Sequence, residues 1–93
     1  MSEIPAKFAK VKAEDLNKEI LRVGIIAELD AISLYEQMAA MTKDKRIRKV
    51  TLSIAKEEKT HVGEFQALLL KIDKEQKGEL DAGGKEVKEL TGV

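Results

Sequence analysis

Glu58 and His61 stand three residues apart in Glu57-Glu58-Lys59-Thr60-His61, a Glu-x-x-His pair. On a helix that spacing puts a carboxylate and an imidazole on one face. The register around them makes the pair unusual. Ile47, Val50, Ile54, Glu58, His61, Phe65, Leu68 and Ile72 follow one another at steps of three and four, the stripe that a helix buries. The chain's single histidine and one carboxylate thus occupy positions where core residues are expected. An earlier stripe, Leu21, Ile25, Glu28, Ile32, Tyr35 and Ala39, carries one carboxylate in the same way. Buried carboxylates are costly unless paired or bound to a metal. Glu28, Glu58 and His61 are therefore candidate metal ligands.

The elements that must hold them follow from the same pattern. A helix is predicted from Ala13–Asp15 to about Met41, some 40 Å long at about 1.5 Å per residue. Glu14 and Asp15 suit the positive end of its dipole, and Gly24 inside it is a tolerable defect. Met41 to Asp44 reads as a turn, with Thr42 or Asp44 capping the second helix. That second helix is expected from about Lys45 to about Glu75. Gly78 and Gly83-Gly84 then interrupt the pattern, leaving Lys85–Leu90 for a helical turn or two. The expected organisation is an N-terminal arm over residues 1–12, a helical hairpin over 13–76, and a short C-terminal helix and tail over 77–93.

The first helix is apolar on a second side as well, through Leu16, Ile20, Val23, Ala27, Ala31, Leu34, Met38 and Met41. A helix apolar over more than half its circumference must be covered twice. Two helices joined by a tight turn lie antiparallel, and a lone hairpin would leave that face in water. Self-association is expected, as a two-fold dimer. The fold class is all-α, an antiparallel two-helix hairpin plus a short C-terminal helix, with two hairpins dimerising into a four-helix bundle.

Composition narrows the chemistry. The 93 residues hold no cysteine, which excludes disulfides, thiolate zinc sites and a rubredoxin-type iron centre. Seventeen basic and seventeen acidic residues cancel, so no electrostatic argument points to nucleic acid or an anionic membrane. No apolar run approaches the ~20 residues of a membrane span, and residues 1–12 lack a signal-peptide core. A soluble cytoplasmic protein is expected. Glu57 and Glu64 read as solvated helix acids, and Met38 and Met41 as core filler.

Di-iron sites in helix bundles use a Glu from each of two helices and a Glu-x-x-His from each of the other two. This chain supplies half of that set. A two-fold dimer supplies four carboxylates and two imidazoles, and the four negative charges balance two divalent ions. Oxygen and imidazole donors suit iron or manganese.

Ala27-Glu28-Leu29-Asp30-Ala31, then Tyr35, then Glu57 to His61, resembles the encapsulated ferritins, half-ferritins of the wider ferritin-like and rubrerythrin-like group. The similarity covers residues 16–72. It implies a ferroxidase that oxidises Fe(II) with dioxygen at a di-iron centre between two chains, with dimers assembled into a ring such as a decamer. It also implies storage of the oxidised iron inside an encapsulin shell, and so a place in a cytoplasmic nanocompartment. The resemblance makes Glu28, Glu58 and His61 the iron ligands, Tyr35 a residue beside the centre, and Asp30 part of a metal-uptake region. Ala27 departs from the acidic residue that the family has there. Some archaeal relatives join such a domain to the shell protein, so residues 86–93 are either a fusion boundary or a shell-docking tail. Two other readings fit the residues: a metal-free helical dimerisation module, and a manganese or peroxide enzyme on the same bundle.

Overall fold

The computed structural model describes residues 12–93, so the arm expected over 1–12 lies outside the described residues but for Lys12. A 3-10 turn over Ala13–Asp15 leads into helix α1, Leu16–Met41. Helix α2 spans Lys45–Ile72 and helix α3 spans Lys74–Thr91. Among the described residues there is no strand.

The turn between α1 and α2 is built by its polar side chains. Asp44 is the N-cap: its carboxylate accepts from the backbone N–H groups of Arg46 and Ile47, at 2.8 and 3.3 Å. These are two of the donors that a helix start leaves unpaired. Thr42 supports it, its hydroxyl accepting from Asp44 N–H at 3.1 Å. Arg48 then folds back and donates to the carbonyls of Ala39 and Thr42, which closes the end of α1.

Contacts across the hairpin run in opposite senses along the two helices. Ala39 meets Arg48, Glu36 meets Lys59, and Glu28 meets His61, so α1 and α2 are antiparallel. The buried seam consists of Ile32 and Ala39 on α1 with Thr51, Ala55 and Leu69 on α2. Small residues dominate it, which lets the backbones approach closely. Thr51 is tolerated there because its hydroxyl donates to the carbonyls of Ile47 and Arg48.

This seam lies one position to the side of the α2 stripe predicted from periodicity. Ile54, Glu58, His61 and Phe65 are half-buried, whereas Ile47, Val50, Leu68 and Ile72 are exposed. The stripe therefore borders the hairpin interface rather than filling it. Ile20, Met38 and Met41 of the second α1 stripe are exposed too. Among the described residues no large side chain is fully buried. A slab only 20 Å thick, with extents of 46 × 42 × 20 Å, has no room for a deep core.

The third helix differs from the turn or two expected. The break falls at Asp73 rather than near Gly78, because Asp73 leaves the helical region (φ −124°, ψ 88°) and at once caps a new helix. One of its carboxylate oxygens accepts from Gln76 N–H at 3.0 Å, and the other accepts from the Arg22 guanidinium at 3.0 Å. α3 then runs straight through Gly78, Gly83 and Gly84. Each glycine weakens a helix by about 1 kcal/mol but ends it only where the chain turns left-handed. That happens at Gly92, with φ of 80°, whose N–H closes α3 on the Lys88 carbonyl.

Candidate metal centre

Glu28 sits mid-way along α1, four residues before the buried Ile32. Glu58 and His61 sit on the adjoining border of α2, one turn past the buried Ala55. The close-packed small residues bring these two borders together. One ligand atom from each of Glu28, Glu58 and His61 falls within 4.8 Å of the others. His61 Nδ1 lies 3.3 Å from Glu58 Oε2 and 3.4 Å from Glu28 Oε2. The ion pair Glu36–Lys59, at 3.0 Å, also ties α1 to α2, but in water it contributes little.

Burial is graded across the cluster. The side chains of Glu28 and Glu58 are each 20% exposed, and that of His61 is 45% exposed. Glu28 Oε2 is fully buried and makes no hydrogen bond. A buried carboxylate oxygen facing a second carboxylate and a ring nitrogen is an arrangement that a bound cation would satisfy. First-row divalent ions take nitrogen and oxygen donors at about 2.0–2.2 Å, which puts adjacent donors on one ion about 3 Å apart. The observed 3.3 and 3.4 Å spacings fit that size. The donor set, two carboxylates and one imidazole, suits iron or manganese.

A concavity of about 340 Å3 adjoins the cluster and is lined by Glu28, His61, Glu64, Phe65 and Leu68. Glu64, read from sequence as merely solvated, is exposed but forms part of this wall. Its position one turn beyond His61 was the available signal. Asp30 and Tyr35 are half-buried on α1 and are not among the three converging groups. Two residues past Glu28 carry Asp30 to another side of the helix, whereas Tyr35, two turns along, stays on Glu28's side. Periodicity alone gave no sign of Asp73 or Arg22, because their pairing joins positions 51 residues apart.

The model of the rubrerythrin family matches residues 9–91. The chain belongs to that family. This rubrerythrin-family chain is 64% identical, over 75 residues, to the ferritin-like-encapsulin shell fusion protein of Pyrococcus furiosus. The match takes in 81% of this chain and 22% of the fusion protein, so the chain spans about a fifth of that relative's length. It also matches the crystal structure of the encapsulated ferritin domain from Pyrococcus furiosus, with a TM-score of 0.86 and 54% identity. That likeness covers 100% of this chain and 97% of the other. The encapsulated-ferritin resemblance and the all-α ferritin-like fold expected from sequence both stand. This rubrerythrin-family domain carries a candidate carboxylate–histidine metal site, and its likeness to an encapsulated ferritin supports an iron-related role. No helix among the described residues is long and apolar enough to cross a membrane.

Proposed function

We propose that two chains pair across the exposed borders of α1 and α2 to form a four-helix bundle. Their six ligands, Glu28, Glu58 and His61 from each, then bind two ferrous ions as substrate. The observation that carries this is the convergence of three ligand atoms from two helices around a buried carboxylate oxygen with no hydrogen bond. The half-exposed edge of His61 and the exposed Val50, Leu68 and Ile72 on its side of α2 favour completion by a second copy.

The chemistry proposed is ferroxidation. Glu58, as a shared carboxylate, and His61, as a capping ligand, would hold the ferrous ions together with Glu28. Each ferrous ion gives up one electron to one dioxygen, and the two electrons with two protons from solvent take it to the level of hydrogen peroxide. The four carboxylates favour the ferric product, since they balance the added positive charge. Tyr35, two turns from Glu28 on the same side of α1, is proposed to stand beside the centre once two chains pair, and Asp30 to serve metal uptake on its own side of α1. Ala27 leaves that route with one acid fewer than the family pattern has. Manganese fits the same donors. The likeness to a shell-fusion protein and to an encapsulated ferritin domain supports action with an encapsulin shell. The dimers are proposed to assemble into a ring such as a decamer.

The test is an aerobic ferrous titration followed by near-ultraviolet ferric absorbance. Oxidation faster than a protein-free control, with a break near one iron per chain, is expected. Glu58→Ala and His61→Ala should abolish it. Oxidation no faster than the control would overturn the ferroxidase and leave manganese chemistry or an inert dimerisation module.

A further inference from the structure

We propose that Gly24 is a positioning residue for the Glu28–Glu58–His61 site, acting through the ring of Phe65; this rests on the metal reading above. Gly24 lies one helical turn before Glu28 on α1, and Phe65 lies one turn after His61 on α2. The two meet across the hairpin directly beside the site. A Cβ placed on Gly24 would stand 3.2 Å from each of three ring atoms of Phe65, Cδ2, Cε2 and Cζ. That is tighter than nine in ten real Cβ contacts, and three equal distances put the added Cβ over the face of a rigid ring rather than on the tip of a flexible chain.

Relief has two routes. The ring turns into the concavity it lines with Glu28 and His61, or α1 and α2 move apart by a few tenths of an ångström. Both disturb the same relationship. Glu58 and His61 share one helix and move together, whereas Glu28 reaches His61 across the gap that Gly24 and Phe65 set. A shift of a few tenths of an ångström uses up most of the roughly 0.5 Å within which a binding constellation must be held. Gly24 thus fixes how far Glu28 stands from the other two ligands.

Gly63 supplies the control. It lies on α2, two residues from both His61 and Phe65, and a Cβ there meets nothing within 4 Å. Alanine is the better helix former at both positions, so loss of binding in Gly24→Ala cannot come from a weaker α1.

The test is a titration of the full chain with Co(II), read by its visible bands, with far-ultraviolet circular dichroism of each variant. Gly24→Ala is expected to keep its helicity, to change the bands, and to weaken Co(II) binding about tenfold or more, as loss of ligand support does. Gly63→Ala is expected to bind as wild type. In a Phe65→Leu background, which lacks the ring, adding Gly24→Ala should change nothing further. Wild-type bands and affinity in Gly24→Ala would overturn the proposal, as would a loss equally large in the Phe65→Leu background. If Gly24→Ala lost helicity as well, recovery of fold and binding in the double variant would support the steric account, and failure to recover would overturn it. A wild-type chain that bound no Co(II) would overturn the metal reading itself, a result distinct from a defect confined to Gly24→Ala.

Discussion

Glu28 Oε2 on α1 and His61 Nδ1 on α2 face each other at 3.4 Å, and the carboxylate oxygen is buried without a hydrogen bond. The same ring nitrogen lies 3.3 Å from Glu58 Oε2. A ring nitrogen carries one proton at most, so it cannot fully satisfy both carboxylates. The metal-free chain therefore keeps one oxygen poorly matched at the border of its core.

Replacing that charge should help the apo protein while it destroys the site. Glu28→Gln is expected to raise metal-free stability by about 1 kcal/mol, since an amide can both donate and accept there. It should also remove the iron break from the titration. Urea unfolding with a chelator present measures the first effect. A clear loss of apo stability would instead make the Glu28 carboxylate a structural group.

Metal should stabilise the wild type by mass action, because the three ligands converge only in the folded chain. At a free metal concentration 100 times Kd the gain is about 2.7 kcal/mol. For a domain of this size that corresponds to a rise in Tm of roughly 10 °C or more. Thermal unfolding under anaerobic Fe(II), or with Mn(II), checks it. The rise should reverse with chelator and vanish in His61→Ala.

Val50 is 58% exposed in the single chain and shares the side of α2 that carries His61. At a free surface Val50→Lys would change stability within about 0.5 kcal/mol. At a dimer interface the lysine would be buried against apolar partners. Val50→Lys is therefore expected to sediment as a monomer and to lose the iron break, with its three ligands intact. An unchanged oligomer with a normal titration would remove this face from the interface.

Asp73 ties the third helix to the hairpin, and its response to acid follows from its partners. The Gln76 backbone N–H holds its carboxyl below the ordinary value of 3.8, against the opposing effect of burial, and Lys18 and Arg22 add to the lowering. A group whose folded pKa is lowered stabilises fully above its unfolded value and loses that contribution as pH falls through the folded one. The junction should thus hold from neutrality down to about pH 4 and loosen only below that. Asp73→Ala should loosen it at pH 7, with amide exchange over Lys74–Leu80 accelerated several-fold. Asp73→Asn keeps a capping acceptor and should show a smaller effect. Equal exchange in all three proteins would show that the cap does not hold α3.

Much of this architecture was legible in the residues themselves. Spacings of three and four placed Glu28, Glu58 and His61 on helical stripes, because a 3.6-residue period fixes which side chains share a face. The turn at Thr42–Asp44 was legible for an equally local reason, since a cap is formed within three residues. The C-terminal glycines misled, because glycine's helix cost is small beside the immediate recapping by Asp73.

Only the tertiary structure decided which faces meet. A helix apolar over more than half its circumference offers several adjacent seams, and periodicity does not choose among them. Packing chose the small residues Ala39, Thr51 and Ala55, because these let two backbones come closest. That choice set Glu28 beside His61, pressed Phe65 against Gly24, and left Val50 and Leu68 facing outward. The ligand types belong to the sequence, and the distances between them belong to the packing of α1 on α2.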